Sequence, residues 1–314
     1  MKRFQKRYTL CFSLLLLAFS IYALMDTFVI SRVYATVEQG TEKAVASVNE
    51  EVAAASTLSA SHSAGHEYGA SAGSSGVSES TDGSTAQIQI SEYRVDDTTV
   101  YVADILLSSA SELKTAFAQN SYGRNVTADT SDTAAAVGAV LAINGDNYGS
   151  REKGYVIRNG VLYRDTAAAA QEDLVIYADG SFEIISESEI TAQQLLANGA
   201  VQVFSFGPGL IENGSVIVDP NDEVDRAKAS NPRTAIGILG ENHLVFAVSD
   251  GRTEESEGLT LYELAEFMQS LGVQAAYNLD GGGSSTMVYQ GSVVNQPTSG
   301  HGIDERAVTD IVYI

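Results

Sequence analysis

Between residues 87 and 314 the chain alternates short runs of β-branched and aromatic residues with turn residues, and this alternation constrains the fold most strongly. IQISEYRV and TTVYVADILL flank Asp96-Asp97, while GYVIRNGVLYR and LVIYADGSFEII turn at Asn159-Gly160 and Asp179-Gly180. Asn-Gly and Asp-Gly tolerate the positive φ that a tight hairpin needs. Similar runs follow: AVQVFSFGPGLIENGSVIV, RTAIGIL, HLVFAVSD and AVTDIVYI. The sequence therefore predicts an α+β fold with a mixed, mainly antiparallel sheet core and few helices.

The clearest helix is predicted in LTLYELAEFMQSLG. Thr260 and Glu263 have the spacing of a capping box, and Leu259 can pack on Leu264 as a hydrophobic staple. Gly272 suits the C-terminal end of the helix. Apolar residues at helical spacing form one stripe, which we interpret as core: Leu261, Leu264, Ala265, Met268 and Leu271.

The N-terminus begins with basic residues followed by a long apolar run. Lys2, Arg3, Lys6 and Arg7 precede the segment from Tyr8 to Ile30. A helix of that length can cross ~30 Å of hydrocarbon, and basic residues tend to stay cytoplasmic. We therefore predict a cytoplasmic tip and transmembrane anchor over residues 1–35, with the rest of the chain outside the cytoplasm. A cleaved signal peptide, which would give a secreted protein, is the alternative.

Residues 36–86 have a composition that cannot support a core, because they are rich in Ser, Ala, Gly, Thr and Glu. We predict a disordered stalk here and one folded domain over 87–314. We interpret His62 and His66, which lie in the stalk, as solvated linker residues. The single cysteine, Cys11, precedes the stalk, so the domain has no disulfide.

The charge of the chain excludes some classes of partner. The formal net charge is −22, and such a surface repels nucleic acid and anionic lipid. We therefore expect no nucleic-acid partner, and membrane contact only through the N-terminal helix.

The stretch AAYNLDGGGSSTMVYQG carries the strongest local signal for a functional site. Asp280 stands at the end of a continuous apolar strand, where polar side chains are held on a rigid base. The glycines after it let backbone N–H groups face a ligand, which predicts an anion nest. The stretch lacks the lysine of a nucleotide P-loop and differs from the G-x-S-x-G nucleophile elbow. The candidate binding residues are Gly281, Gly282, Gly283, Ser284, Ser285 and Thr286.

Three other apolar runs end in a similar polar tip. AVLAINGDNYG carries Asn144 and Asp146, HLVFAVSDGR carries Asp250 and Gly251, and SFGPGLIENG carries Gly207. One Asx-Gly pair is usually only a turn, but the recurrence after apolar strands predicts a shared site. Four arginines beside strand signals are candidates for binding phosphate, because a guanidinium forms bidentate bonds with its oxygens: Arg158, Arg233, Arg252 and Arg306.

The segment from SDGRTEESEG to LDGGGSSTMVYQG resembles the signature of the phosphodiester glycosidase family. The order of AINGDNYG, GPGLIENG, NPRTAIGI and ERAVTDIVYI agrees with that resemblance, which extends roughly from Val137 to Ile314. The resemblance implies hydrolysis of a sugar-1-phosphodiester. Together with the predicted anchor, this leads us to expect a substrate in a cell-surface glycan or exopolysaccharide. The resemblance also implies that Asn144, Arg233, Asp250, Gly251, Asp280 and the glycines after Asp280 line the pocket.

The chemistry of these residues suggests roles but leaves alternatives open. Asp280 or Asp250 would act as base or nucleophile near C1, with Asn144 and Asp146 as further catalytic candidates, while the arginines bind the phosphate. A non-catalytic module that binds a wall glycopolymer is one alternative. A phosphodiesterase that uses a divalent cation held by the aspartates is another. We expect no required cofactor for the glycosidase, and we expect Asn144, Arg233, Asp250 and Asp280 to converge around one cavity.

Overall fold

The computed structural model describes residues 2–37, 70–71, 75–77, 86–220, 230–300 and 302–314. Most of the predicted stalk, with His62 and His66, lies outside these described residues. The helices within them are α1 (Lys2–Phe28), α2 (Thr130–Val137), α3 (Ala192–Ala197) and α4 (Leu261–Ser270).

Short β-strands make up most of the remaining structure. They are β1 (Arg32–Thr36), β2 (Ala70–Ser71), β3 (Ser75–Val77), β4 (Gln87–Val95), β5 (Thr98–Leu106), β6 (Lys114–Phe117), β7 (Ser121–Arg124), β8 (Leu141–Asn144), β9 (Val156–Arg158), β10 (Val161–Arg164), β11 (Glu172–Tyr177), β12 (Phe182–Ser186), β13 (Ala200–Phe204), β14 (Gly209–Glu212), β15 (Ser215–Val216), β16 (Thr234–Gly240), β17 (His243–Ser249), β18 (Ala275–Asn278), β19 (Met287–Tyr289), β20 (Ser292–Val293), β21 (Thr298–Ser299), β22 (Gly302–Ile303) and β23 (Asp310–Tyr313).

The strands form three main sheets. The largest has the order β15-β14-β18-β16-β17-β5-β4-β2, with β3 also paired to β4. A second sheet has the order β10-β9-β13-β11-β12, and a third has the order β20-β19-β8-β23-β6. The neighbouring strands pair antiparallel in each of them, for example β16 with β17 and with β18. The predicted α+β class, with mainly antiparallel sheets and few helices, is confirmed.

The large sheet is covered on both faces. On one face, Ile236 and Tyr277 pack with Leu174 of the second sheet and Ile143 of the third. On the other face, Ala235 and Ala276 pack against the apolar side of α4, including Leu264, Ala265 and Met268. Burial on both faces explains why the run before Asp280 is continuously apolar rather than alternating.

The predicted local elements occur where the sequence placed them. β4 and β5 turn at Asp96-Asp97, with Val95 opposite Thr98, and β9 and β10 turn at Asn159-Gly160, with φ of 50° and 75°. In α4 the Thr260 side chain accepts a hydrogen bond from Glu263 N, and the Glu263 side chain accepts one from Thr260 N. Gly272 follows the helix with a φ of 83°. The predicted capping box and C-terminal glycine are therefore confirmed.

The described part of the N-terminal segment contacts the predicted domain. β1 pairs with β7, and Asn125 donates from Nδ2 to the carbonyls of Thr27 and Ile30, 3.2 Å each. The predicted boundary at residues 35 and 36 therefore falls inside a strand that is docked on the domain. The short strands β2 and β3, inside the predicted stalk, pair with β4. Across the described residues, no helix combines the length and apolarity required to span a membrane.

Candidate functional site

The site lies at the edge of the large sheet where β17 and β18 end and β16 begins. Ala235 pairs with Asn278, and Leu279 N donates to Thr234 O at 2.8 Å. Continuing this antiparallel register places Arg233 opposite Asp280. On the other side of β16, Ser249 N donates to Arg233 O at 2.9 Å, and Asp250 follows. Three separate chain segments thus meet at one edge.

Asp280 forms a compact cluster with a hydroxyl and a guanidinium. Its Oδ2 accepts hydrogen bonds from Ser284 Oγ at 2.6 Å and from Arg306 Nη2 at 2.9 Å. Arg306 also donates from Nε to Ser284 Oγ at 2.8 Å. The Asp280 side chain is only 11% exposed, whereas that of Arg306 is 45% exposed. Arg306 therefore holds the carboxylate in place and still presents charge to solvent.

The glycine turn lies between two exposed guanidiniums. Arg306 Nη2 donates to Gly281 O at 3.1 Å, and a Cβ on Gly282 would lie 2.7 Å from Arg252 Nη2. Gly282 also has a φ of 62°, which favours glycine. Arg252 is exposed and its Nη2 donates to Asn231 Oδ1 at 3.0 Å. The turn thus has a positively charged group on each side.

Part of the predicted anion nest is used within the chain, because three N–H groups of the turn have acceptors in the protein. Gly282 N donates to Pro232 O at 2.8 Å, and Ser284 N and Ser285 N donate to the carbonyls of Gly281 and Gly282. These bonds close a short 3₁₀ turn. These three N–H groups already have acceptors, and the absence of a side chain at Gly282 allows Arg252 to approach the turn closely.

Asn144 connects the large sheet to the third sheet. Its Nδ2 donates to Asp280 O at 2.7 Å, and its Oδ1 accepts from Thr234 Oγ1 at 2.8 Å and from Thr286 N at 3.2 Å. Asn144 is fully buried. It therefore acts as a positioning residue that fixes the backbone of Asp280.

Asp250 occupies a more enclosed environment than Asp280. It is 3% exposed, and its Oδ1 accepts from Gln296 N at 2.7 Å. Burial raises the pKa of Asp250, although the Gln296 N–H opposes this shift. Burial and then the nearby Asp250 raise the pKa of Tyr101 to about 12. No local sequence pattern indicates Tyr101, because it reaches Asp250 from a neighbouring strand.

One loop joins the surroundings of Asp250 to those of Asp280. Thr298 Oγ1 donates to Gly251 O at 3.0 Å, and a Cβ on Gly283 would lie 3.3 Å from Thr298 O. Arg306 N then donates to Gly283 O at 3.2 Å. The segment from Gln296 to Arg306 therefore holds the two strand ends in one continuous set of contacts.

Arg233 lies deeper than Arg252 and Arg306. It is 3% exposed, and its Nε donates to Leu259 O at 2.7 Å, just before α4. The cap of α4 and the start of β16 are therefore tied together by this side chain.

Asp146 and Arg158 do not lie at the site surface, in contrast to the roles predicted for them. Arg158 is 1% exposed, and its Nη2 bonds Asp146 at 2.7 Å and Asp310 at 2.9 Å. Burial alone would lower the pKa of Arg158, but the two carboxylates raise it. Asp146 also accepts from Ser205 N at 2.9 Å. This buried ion network joins the second and third sheets and offers neither a catalytic carboxylate nor a free phosphate-binding fork.

Of the remaining candidate residues, Ser285 and Thr286 are buried, and Gly207 borders a separate cavity. Ser285 and Thr286 are fully buried, so their hydroxyls do not face solvent as the sequence interpretation required. Gly207 has a φ of 76° and precedes a cis bond to Pro208. It borders a cavity of about 400 Å³ lined by Ala170, Gln171, Glu172, Phe206, Gly207, Pro208, Gly209, Ile217, Val218 and Leu261.

Comparison with known proteins agrees with this architecture. Residues 137–314, more than half of the chain, match the family model for phosphodiester glycosidase. The chain belongs to the phosphodiester glycosidase family. This is a family of hydrolases, and the resemblance seen in the sequence is confirmed.

Two curated relatives of this phosphodiester glycosidase domain have similar sequences. The SPbeta prophage-derived uncharacterized protein YomE of Bacillus subtilis (strain 168) is 33% identical over 181 residues, which cover 56% of this chain and 28% of YomE. The N-acetylglucosamine-1-phosphodiester alpha-N-acetylglucosaminidase of Mus musculus is 31% identical over 188 residues, 54% of this chain and 36% of the mouse protein. The chain thus spans about a third of the length of these relatives.

Solved structures share the fold. The zebrafish N-acetylglucosamine-1-phosphodiester alpha-N-acetylglucosaminidase catalytic domain, auto-inhibited by its pro-peptide, has a TM-score of 0.58 and 24% identity, with 79% of this chain and 87% of that chain covered. A hypothetical protein from Synechocystis has a TM-score of 0.56 at 13% identity, with 73% and 61% covered. At these identities the likeness concerns the fold.

Proposed function

We propose that this protein hydrolyses the glycosidic C1–O bond of a sugar-1-phosphodiester. In this reaction the C1–O bond breaks, and water supplies a hydroxyl to C1 and a proton to the departing phosphomonoester. The observation that carries the proposal is the position of Asp280 directly before a glycine turn flanked by Arg252 and Arg306. The mouse relative is named for a reaction of this kind, which supports the substrate class.

We assign the roles from the surroundings of each side chain. Arg306 and Arg252 bind the phosphate, since guanidinium groups match its oxygens and remain exposed here. Asp280 stands beside them and stabilises positive charge at C1 or attacks it. Asp250, whose pKa is raised by burial, is suited to carry a proton to or from the reacting oxygen. Asn144 positions Asp280 through its backbone carbonyl.

The test is turnover of a panel of sugar-1-phosphodiesters by the purified protein in ¹⁸O-labelled water. We expect label in the sugar, because the C1–O bond is cut, and a large loss of kcat in Asp280→Asn. Asp250→Asn should alter the pH profile as well as kcat. Normal turnover in both variants would overturn the assignment.

The same experiment separates the two alternatives. Binding of a glycopolymer without turnover of any phosphodiester would support a binding module. Label in the phosphate, with loss of activity in chelator, would support a metal-dependent phosphodiesterase. Within the described residues, no three His, Cys, Asp or Glu side chains come together in a group that could hold a metal ion.

We also propose an extracytoplasmic location and a cell-surface glycan or exopolysaccharide as the substrate source. This rests on the basic N-terminus followed by the apolar run from Tyr8 to Ile30, a pattern that anchors and signal peptides share. Cell fractionation and N-terminal sequencing of the mature protein test it. Recovery in the cytoplasm with an intact N-terminus would contradict it.

A further inference from the structure

The cavity beside Gly207 has a lining that includes neither the glycine turn nor Arg252 and Arg306. Its volume of about 400 Å³ falls in the range of small-molecule pockets. The lining combines an aromatic ring, aliphatic side chains, one amide and one carboxylate. Phe206 is half-buried, and Arg151 lies over its ring at 4.7 Å from the centroid. This composition suits a ligand with apolar ring faces and polar edges.

The cavity is tied directly to the strand that carries Asp280. Asn278 donates from Nδ2 to Gly207 O at 2.8 Å and from N to Pro208 O at 3.2 Å, and Gly207 N donates to Asn278 O. Asn278 precedes Asp280 by two residues, which is about 7 Å of strand.

A second link approaches from α4. Leu261 lines the cavity, and Leu259, two residues earlier, accepts the hydrogen bond from Arg233 Nε. Because Arg233 lies opposite Asp280, the cavity and the carboxylate are connected on this side as well. Backbone contacts therefore connect the cavity to the strand that leads to Asp280, and the glycine turn beside Arg252 and Arg306 follows Asp280 directly.

We propose that this cavity is the subsite for the sugar ring whose C1–O bond is cut, a proposal that rests on the proposed hydrolysis. The connection from the cavity to the carboxylate and on to the arginines parallels the connection of sugar ring, C1 and phosphate in the substrate. Glu172 lies at the cavity, and its Oε2 accepts from Gly209 N at 3.2 Å. A carboxylate there repels acidic sugars, so the ligand class is a neutral, hydroxyl-bearing sugar.

Gly209 lies in close contact with Ile217, another residue of the cavity wall. A Cβ on Gly209 would lie 2.9 Å from Ile184 Cδ1 and 3.2 Å from Ile217 Cδ1. Ile217 itself is 43% exposed on the cavity wall. A larger side chain at Ile217 therefore fills the cavity without entering the packed core.

The experiment compares Ile217→Trp with Leu106→Trp in the full chain. Leu106 is also 43% exposed but lies on β5, away from the cavity. For Ile217→Trp we expect KM for a sugar-1-phosphodiester to rise by about 10-fold or more, while inhibition by inorganic phosphate stays within about 2-fold. Gln171→Ala, which removes one polar group, should raise KM by roughly 5-fold. Leu106→Trp should behave like the wild type, and an unchanged KM in Ile217→Trp would overturn the subsite.

A binding assay keeps this inference separate from the proposed hydrolysis. Saturation-transfer NMR with neutral methyl glycosides, in parallel with a methyl uronate, needs no turnover. We expect neutral glycosides to bind the wild type and Leu106→Trp, and to lose binding in Ile217→Trp. If turnover fails but this pattern holds, the hydrolysis is wrong and the sugar subsite stands. Absence of binding by every neutral glycoside, or equal binding by Ile217→Trp, would overturn the subsite.

Discussion

Arg306 combines a positive charge, contacts with Asp280 and the glycine turn, and exposure to solvent. Its guanidinium contacts Asp280 Oδ2, Ser284 Oγ and Gly281 O, yet the side chain remains 45% exposed. Such a side chain can hold a carboxylate and still meet a phosphate oxygen. Its nearest contacts are all within the glycine stretch, so its role depends on a segment more than 20 positions earlier in the chain.

Replacing Arg306 should separate substrate binding from folding. For Arg306→Gln we expect kcat/KM to fall roughly 10- to 100-fold, because the variant loses one or two charge-assisted hydrogen bonds to the substrate. For Arg306→Lys we expect a kcat/KM between those of Arg306→Gln and the wild type, because lysine keeps the positive charge but cannot form bidentate hydrogen bonds. Steady-state kinetics and thermal melts measure both effects. Arg124→Gln, which breaks a surface pair with Glu152, is the control and should change neither quantity. Wild-type kinetics in Arg306→Gln would contradict the assignment.

Asp173 is a buried carboxyl outside the proposed chemistry. It is fully buried on β11, and burial followed by the adjacent Glu187 raises its pKa to about 10. In the unfolded chain an aspartate titrates near 3.9. Between about pH 4 and pH 10 the folded protein therefore keeps a proton that the unfolded chain releases. The free energy of unfolding must fall as pH rises through this window, by up to about 1.4 kcal/mol per pH unit.

Asp173→Asn should remove this pH dependence. We expect the variant to be more stable than the wild type at pH 8 and close to it at pH 4, where the folded carboxyl is protonated and the unfolded one is about half protonated. Thermal melts from pH 4 to pH 9 provide the measurement. Asp179→Asn should change the pH dependence of the free energy of unfolding in the opposite direction, because hydrogen bonds from Ser181 lower the pKa of Asp179. It should lose a little stability above pH 4, and parallel curves for Asp173→Asn and the wild type would disprove the argument.

At the scale of elements, local patterns were predictable and distant pairings were not. The hairpins at Asn159-Gly160 and Asp179-Gly180 and the capping box of α4 follow from neighbouring residues. The box of α3, Thr191 with Gln194, has the same spacing and also follows from neighbouring residues. β1 could not be found in this way, because its pairing with β7 brings together residues about 90 positions apart. The exposed side chains of β1 leave no alternating pattern.

Gly123 of β7 provides a test of the docked strand β1. A Cβ at this position would lie 2.1 Å from Arg32 O, so Gly123→Val must displace β1. We expect amide exchange in residues 32–37 to accelerate by more than about 10-fold in hydrogen-exchange experiments, since their partner strand is blocked. Gly240→Val is the matched control, because a Cβ there meets nothing within 4 Å. Unchanged protection of residues 32–37 in Gly123→Val would show that β1 is not docked in solution.

At the scale of the whole molecule, the site exists because two sheets share one core. Asn144 ends a strand of the third sheet, yet it bonds Asp280 and Thr234 of the large sheet. The polar tips after apolar strands predicted a shared site, and the contacts through Asn144 and the loop after Gln296 bring those tips together. Asp146 has the same sequence signal, but packing between the sheets turns it towards Arg158. The sequence alone cannot predict that Asn144 contacts Asp280 whereas Asp146 pairs with Arg158, because the burial of each side chain depends on how the sheets pack.

Every residue of the candidate site and of the cavity lies within 87–314, so this fragment should keep the activity of the full chain. Among the described residues it loses α1, the bonds of Asn125 to Thr27 and Ile30, and the pairings of β1 with β7 and of β2 and β3 with β4. We expect kcat/KM within about 2-fold of the full chain, with a lower melting temperature because the edge of β7 is uncovered. Kinetics and thermal melts on both proteins make the comparison. A fragment that melts cooperatively but has lost more than about 10-fold in kcat/KM would mean that the N-terminal segment contributes to the site itself.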